Sequence, residues 1–156
     1  MLKKFVSSIC ILCLLCACSG GTSGKEASSG TDVKSAAQSL VKDLNLTDTT
    51  AEVEDRVVQG LFFFEDGVVT ASDVYLANDK SADIVGVFKT TNIESCENSI
   101  KTYLSTTKQQ MQSYFPEEVF KVDNALVQDN GSDTVILIIC KDMETAKTKA
   151  EAILKG

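Results

Sequence analysis

The chain has 156 residues, 44% hydrophobic and 24% charged, which suits one domain with its own core. Its formal charge of −7 excludes a surface that tracks a phosphate backbone, which needs clustered Lys and Arg, so no nucleic-acid partner is expected. It contains no His, which removes Ser-His-Asp and Cys-His nucleophile arrangements and His-bearing zinc sites.

Lys3 and Lys4 open the chain, and residues 5–17 are mostly apolar but too few for the roughly twenty a spanning helix needs. Leu15-Cys16-Ala17-Cys18 then reads as a lipobox, the signal for cleavage before Cys18 and attachment of lipid to its sulfur. Only Cys18 has a small residue directly before it and Leu three places back. The predicted division is therefore a signal peptide at 1–17, a lipidated Cys18 with a flexible tether at 18–30, and one domain at 31–156. Removing residues 1–17 takes away two Lys and no acid, so −7 becomes −9. A chain this acidic is repelled by anionic lipid, and its contact with the membrane is expected to run through Cys18 alone. Residues 19–30 are rich in Gly and Ser and carry no large apolar side chain, as a tether should.

Six Cys suggest a metal or disulfide scaffold until they are placed. Cys10, Cys13 and Cys16 fall in the signal and Cys18 carries lipid, leaving Cys96 and Cys140. A bridge between these two is one reading, and two buried thiols is the preferred one. No metal, cofactor or catalytic grouping is predicted.

In the domain, Thr31 or Asp32 is expected to cap a first helix with Val33, Ala36, Ala37, Leu40, Val41 and Leu44 on one stripe. An irregular acidic stretch covers 47–55. Residues 57–69 contain Phe62, Phe63 and Phe64, read as a segment covering a sheet face, with a ligand pocket near these rings as the alternative. From residue 69 the chain matches itself at an offset of fifty. Val69, Asp73, Leu76, Asp79, Asp83, Val85, Glu94 and Leu104 recur as Val119, Asp123, Leu126, Asp129, Asp133, Val135, Glu144 and Leu154. Each unit, 69–104 and 119–154, reads as strand, turn, strand, helix.

The first unit places strands at 73–77 and 84–89, the second at 122–127 and 134–140. Asn130-Gly131 marks the second hairpin, and a calcium loop is the weaker reading of residues 129–133. A capping box at Thr91-Asn92-Ile93-Glu94 starts a helix whose stripe is Ile93, Cys96, Ile100, Tyr103, Leu104, Thr107, Met111 and Tyr114, ending before Phe115-Pro116. Asp142 caps the last helix. Glu117 and Glu118 are read as a solvated loop rather than an acid pair. The unbroken run from Val135 to Ile139 argues for a central strand covered on both faces.

The predicted fold class is α+β. An N-terminal helix precedes two strand-strand-helix repeats that form a four-stranded, antiparallel-rich sheet with the repeat helices on one face. Cyclically, this order is that of a ferredoxin-like sheet with its last strand moved to the front.

Ala82-Asp83-Ile84-Val85-Gly86-Val87-Phe88-Lys89, Tyr114-Phe115-Pro116-Glu117-Glu118-Val119, Asn124-Ala125, Asn130-Gly131 and Lys141-Asp142 together resemble a family of small bacterial lipoproteins, domain of unknown function 4358. The resemblance implies location and architecture and supplies no site residues. The expected role is that of a non-enzymatic module, anchored on the outer face of a bacterial cell membrane, which binds a protein, peptide or envelope component. A small-molecule-binding or catalytic lipoprotein is the alternative, and self-association through an exposed sheet face is a third expectation.

Overall fold

The computed structural model describes residues 31–78 and 80–156. The expected signal peptide (1–17), Cys18 and the expected tether lie outside the described residues. The element order is α1 (Val33–Asp43), β1 (Thr50–Glu52), α2 (Asp55–Phe62), β2 (Val69–Ala77), β3 (Ile84–Thr90), α3 (Ile93–Tyr114), a 3-10 turn (Pro116–Glu118), α4 (Val119–Asp123), β4 (Leu126–Asp129), β5 (Thr134–Ile139) and α5 (Met143–Lys155). The strands form one antiparallel sheet in the order β1-β2-β3-β5-β4.

The α+β class and the twofold strand-strand-helix order are as expected, but the sheet has five strands among the described residues. The added strand, β1, lies in the stretch read as irregular. It is short, with a buried Thr50 whose hydroxyl donates to the Leu46 carbonyl at 2.8 Å, so it carries no apolar alternation to betray it. A second correction concerns residues 122–127. Pro116 opens a 3-10 turn, α4 follows, and Val122 enters the core from a helix, so β4 begins only at Leu126.

The third correction is the larger one. The helices lie on both faces of the sheet, with α2, α3 and α4 on one and α1 and α5 on the other. Period-two alternation shows why. Ile84 and Phe88 on β3 and Val135, Leu137 and Ile139 on β5 share a core with Phe62, Cys96 and Ile100. Val85 and Val87, with Ile136 and Ile138, face the opposite way, onto Ala36, Ala37 and Leu40 of α1 and Ala146 and Ala150 of α5. The small side chains let these two helices lie close to the strands. The offset of fifty equates Val85 with Val135 and Val87 with Leu137, residues that point to opposite faces, and equates Val69 on β2 with Val119 on α4. A slip of one residue turns a strand over, so the sequence repeat does not correspond to a structural duplication. The central order β2-β3-β5-β4 is that of the permuted ferredoxin-like sheet, while the placement of the repeat helices is not.

The helix boundaries follow their caps. Asp32 rather than Thr31 caps α1, accepting from the Ser35 amide, and Asp142 caps α5 through the Thr145 amide at 3.1 Å. For α3 the cap is Asn92, one residue later than the predicted Thr91, with Oδ1 accepting from Ser95 N at 3.0 Å. Residues 135–139 are wholly buried, as expected for a strand covered on both sides. Among the described residues no helix is long and apolar enough to cross a membrane.

Candidate functional site

Three consecutive phenylalanines cannot all leave a helix end toward the same core. Phe62, the last residue of α2, is buried, and Phe63 follows at φ +50° in the left-handed region. That single step lets Phe64 return to the core. The rings of Phe62 and Phe64 stack at 5.2 Å, both meet Phe88 edge-on, and Phe62 packs on Tyr103 at 4.6 Å. The space beneath the triplet, where a pocket was the alternative expectation, is filled by rings. Gly86 makes part of that room. A Cβ there would lie 2.8 Å from the Phe88 ring, which rests across the glycine.

Phe63 is turned outward and is 77% exposed. A β-carbon in the left-handed region costs roughly 1–2 kcal/mol, and a bulky residue with positive φ is a genuine outlier. Gly is the usual occupant of such a helix end. Burial returns nothing for the large side chain here.

A shallow groove lies on each side of this ring. One, of about 220 Å³, is walled by Gly60 and Leu61 of α2, by Phe63 itself, and by Thr102, Tyr103, Thr106, Thr107 and Gln110 of α3. The other, of about 240 Å³, is walled by Glu65, Ser95, Asn98, Ser99 and Thr102. Thr102 belongs to both. Glu65 is the one charged side chain in either wall. The Thr102 hydroxyl donates to the Asn98 carbonyl at 3.0 Å and that of Thr106 to the Thr102 carbonyl at 3.1 Å, so their oxygens face outward as acceptors.

The other polar groupings are structural in character. Lys121 Nζ donates to Glu118 Oε2 at 2.8 Å, Ser81 Oγ at 2.9 Å and Asp83 Oδ1 at 3.1 Å, which uses its three protons. Glu118 Oε2 also accepts from Ser81 Oγ and the Ala82 amide, each at 2.9 Å. Burial lowers the Lys121 pKa, but hydrogen bonds to Glu118 and Asp83 outweigh it, so the net shift is upward. Burial likewise raises Glu118, and its bonds from Lys121, Ala82 and Ser81 bring it below the usual carboxylate range. A protonated, saturated ammonium is no nucleophile, and the cluster is a latch between the β2–β3 connection and α4. Glu118 is thus not a solvated loop residue as the sequence suggested. Glu117, its neighbour, is exposed.

Asp73 on β2 lies 7% exposed under α1, with Oδ2 lacking a partner among the described residues. Burial, then the nearby Glu52 carboxylate, push its pKa up to about 6, against the pull of Lys34. Cys96 and Cys140 are buried thiols on opposite faces of the sheet, which separates them more completely than opposite edges would. Burial pushes them up to about 12 and about 11, so neither offers a thiolate. The Asn130-Gly131 turn is a four-residue loop. Asn130 Oδ1 accepts from the amides of Ser132, Asp133 and Thr134, each at 3.0 Å, which leaves that oxygen spent on the backbone. Among the described residues no group of three acids or cysteines is placed to hold a metal.

A groove of about 840 Å³ runs between the start of α1 and the end of α5. Beside it a groove of about 430 Å³ includes Gln128, whose Oε1 is buried without a partner. Neither holds an exposed aromatic ring.

Neither the curated proteins nor the solved structures provide a match to the chain. A family model does match, over residues 42–140, and it takes in β1 through β5, the Phe63 surface and the Lys121 latch, while leaving out most of α1 and all of α5. That span exceeds half of the sequence, and the chain belongs to the family described as Domain of unknown function (DUF4358).

Proposed function

We propose that the protein is a non-enzymatic binding module, tethered by lipid on Cys18 to the outer face of a bacterial cell membrane, and that it binds an envelope component through Phe63. The observation that carries this reading is the geometry of that residue. An aromatic ring is held outward by a strained backbone, between two shallow grooves, while its neighbours in sequence fill the core. Strain retained against stability is the usual mark of a site that works on something outside the fold. The lipobox supplies the location, and the Ser- and Gly-rich residues 19–30 supply reach. The polar clusters offer no rival chemistry, because Lys121 is saturated and both thiols stay protonated.

Mass measurement of the mature N-terminal peptide tests the anchor, with diacylglycerol on Cys18 expected and an unmodified sulfur contradicting it. Chemical cross-linking of intact cells tests the binding. Wild-type protein is expected to give discrete adducts that a Phe63→Ala variant, present at equal level, lacks. Identical adducts from both would place binding elsewhere.

A further inference from the structure

We infer that the ligand of the Phe63 surface is an uncharged glycan chain, laid with one sugar ring against the phenyl face and its neighbours in the flanking grooves. This rests on the proposed binding role and names the ligand class. Three features of the site carry it.

The first is charge. In a chain with 24% charged residues, the two grooves contain Glu65 alone. An anionic ligand finds no counter-charge here, and a basic peptide finds a single carboxylate, in one of the two grooves. The second is the kind of polar group present. Outward oxygens of Thr102 and Thr106 accept, and the carboxamides of the exposed Asn98 and Gln110 can both donate and accept. A polyol, whose hydroxyls each donate and accept, matches that inventory, and a hydrocarbon does not. The third is the shape of the apolar part. The apolar part of the site is the exposed Phe63 ring with the half-buried Leu61 and Tyr103 beside it, far short of the roughly 800 Å² per partner that a stable protein interface buries. A pyranose ring has one face of C–H groups, which complements the electron-rich face of an aromatic ring. Two shallow grooves of about 220 and 240 Å³ sharing Phe63 and Thr102 form a short track, each below the size of a drug-sized pocket. That suits successive units of a chain better than one compact molecule.

The test uses the full chain in detergent micelles with ¹³C-labelled phenylalanine, titrated with three neutral oligosaccharide probes: β-linked N-acetylglucosamine, glucose and mannose hexamers. At least one is expected to shift the Phe63 ring resonance and to leave those of Phe62 and Phe64 in place. Phe63→Trp is expected to keep or tighten that binding, Phe63→Leu to weaken it by about tenfold, and Phe63→Ala to abolish it. The leucine variant keeps an apolar side chain without a π face, so equal binding by Leu and Phe would overturn the stacking geometry. Charged controls, a deacetylated cationic hexamer and an acidic hexapeptide, are expected not to bind. If none of the neutral probes shifts the ring while Phe63-dependent adducts still form in cells, the glycan assignment fails and the binding role stands. If those adducts are also missing, both fail. Urea midpoints within experimental error of wild type show that the Phe63 variants are folded.

Discussion

Asp73 provides the sharpest physical test of the fold, because replacing it by Asn should make the protein more stable at neutral pH. The carboxyl is 7% exposed and its Oδ2 has no partner. Around it stand Glu52 on β1, Lys34 and Asp32 on α1, and Tyr75 on its own strand. Its pKa is about 6 in the fold against 3.8 for the ordinary group. A carboxyl raised in the folded state binds its proton more tightly there. Its contribution is therefore fully present below about 3.8 and lost as pH rises through about 6. Two pH units at 1.4 kcal/mol each set a ceiling near ~3 kcal/mol, and partial screening by Lys34 and solvent brings the expectation to ~1–2 kcal/mol. The carboxamide of Asp73→Asn would keep the shape, would not titrate, and would donate to Glu52. Urea unfolding of wild type and Asp73→Asn at pH 4, 5.5 and 7.5, at constant ionic strength, measures the difference directly. The gap should be small at pH 4 and grow to favour Asn by pH 7.5. A gap independent of pH, or a variant that is weaker at 7.5, would show that Asp73 is ionised and well paired. Asp133 does not interfere. Its bond from Lys89 at 2.7 Å holds it down to about 2, so its contribution is lost only as pH falls from about 3.8 through about 2.

Four further outcomes follow from named contacts. Phe63→Gly should leave stability unchanged or raise it by up to ~1 kcal/mol, because relief of the left-handed strain offsets the added freedom of the unfolded chain, whereas Phe62→Ala should cost about 3–5 kcal/mol; urea midpoints distinguish them. Gly86→Ala should cost about 1–3 kcal/mol by driving a methyl into the Phe88 ring, and pairing it with Phe88→Leu should cost less than the sum of the two single changes in a double-mutant cycle. Lys121→Met should cost about 2–4 kcal/mol at pH 7, because the mostly buried Glu118 carboxylate loses the ammonium that holds its pKa down; the loss should shrink as pH falls, with Glu118 taking up its proton at a higher pH in the variant than in the wild type. Cys96 and Cys140 should resist thiol reagents in the native state and react on the timescale of unfolding, which time-resolved mass measurement reads.

Periodicity made α1, α3 and α5 legible, since each buries a regular stripe, while β3 and β5 showed as apolar runs bounded by turn residues and buried on both faces. It failed where burial is carried by few residues. In α2 the core contact is Val58 and Phe62, one turn apart, inside a run so rich in Phe that no period stands out. Val122 reads as the start of a strand, yet after Pro116 it lies in a short helix, one turn on from Val119. The side of the sheet that each helix takes was not legible, because it depends on the parity of residues leaving β3 and β5, and a one-residue difference reverses it. The latch was hidden because Ser81 and Lys121 are forty positions apart. Phe63 had one available signal, namely that three adjacent rings at a helix end cannot all be buried; which one turns outward depends on the left-handed step, and a Phe sequence does not announce that conformation.

A photo-activated phenylalanine analogue placed at residue 63, and separately at Tyr114, tests the central claim most directly. Tyr114, 75% exposed at the far end of α3, is a matched aromatic control. Illumination of intact cells should yield a covalent adduct from position 63 and none from position 114, with the adduct lost on digestion by a glycan-cleaving enzyme. Equal capture at both positions, or none at 63, would contradict the assignment of Phe63 as the binding surface.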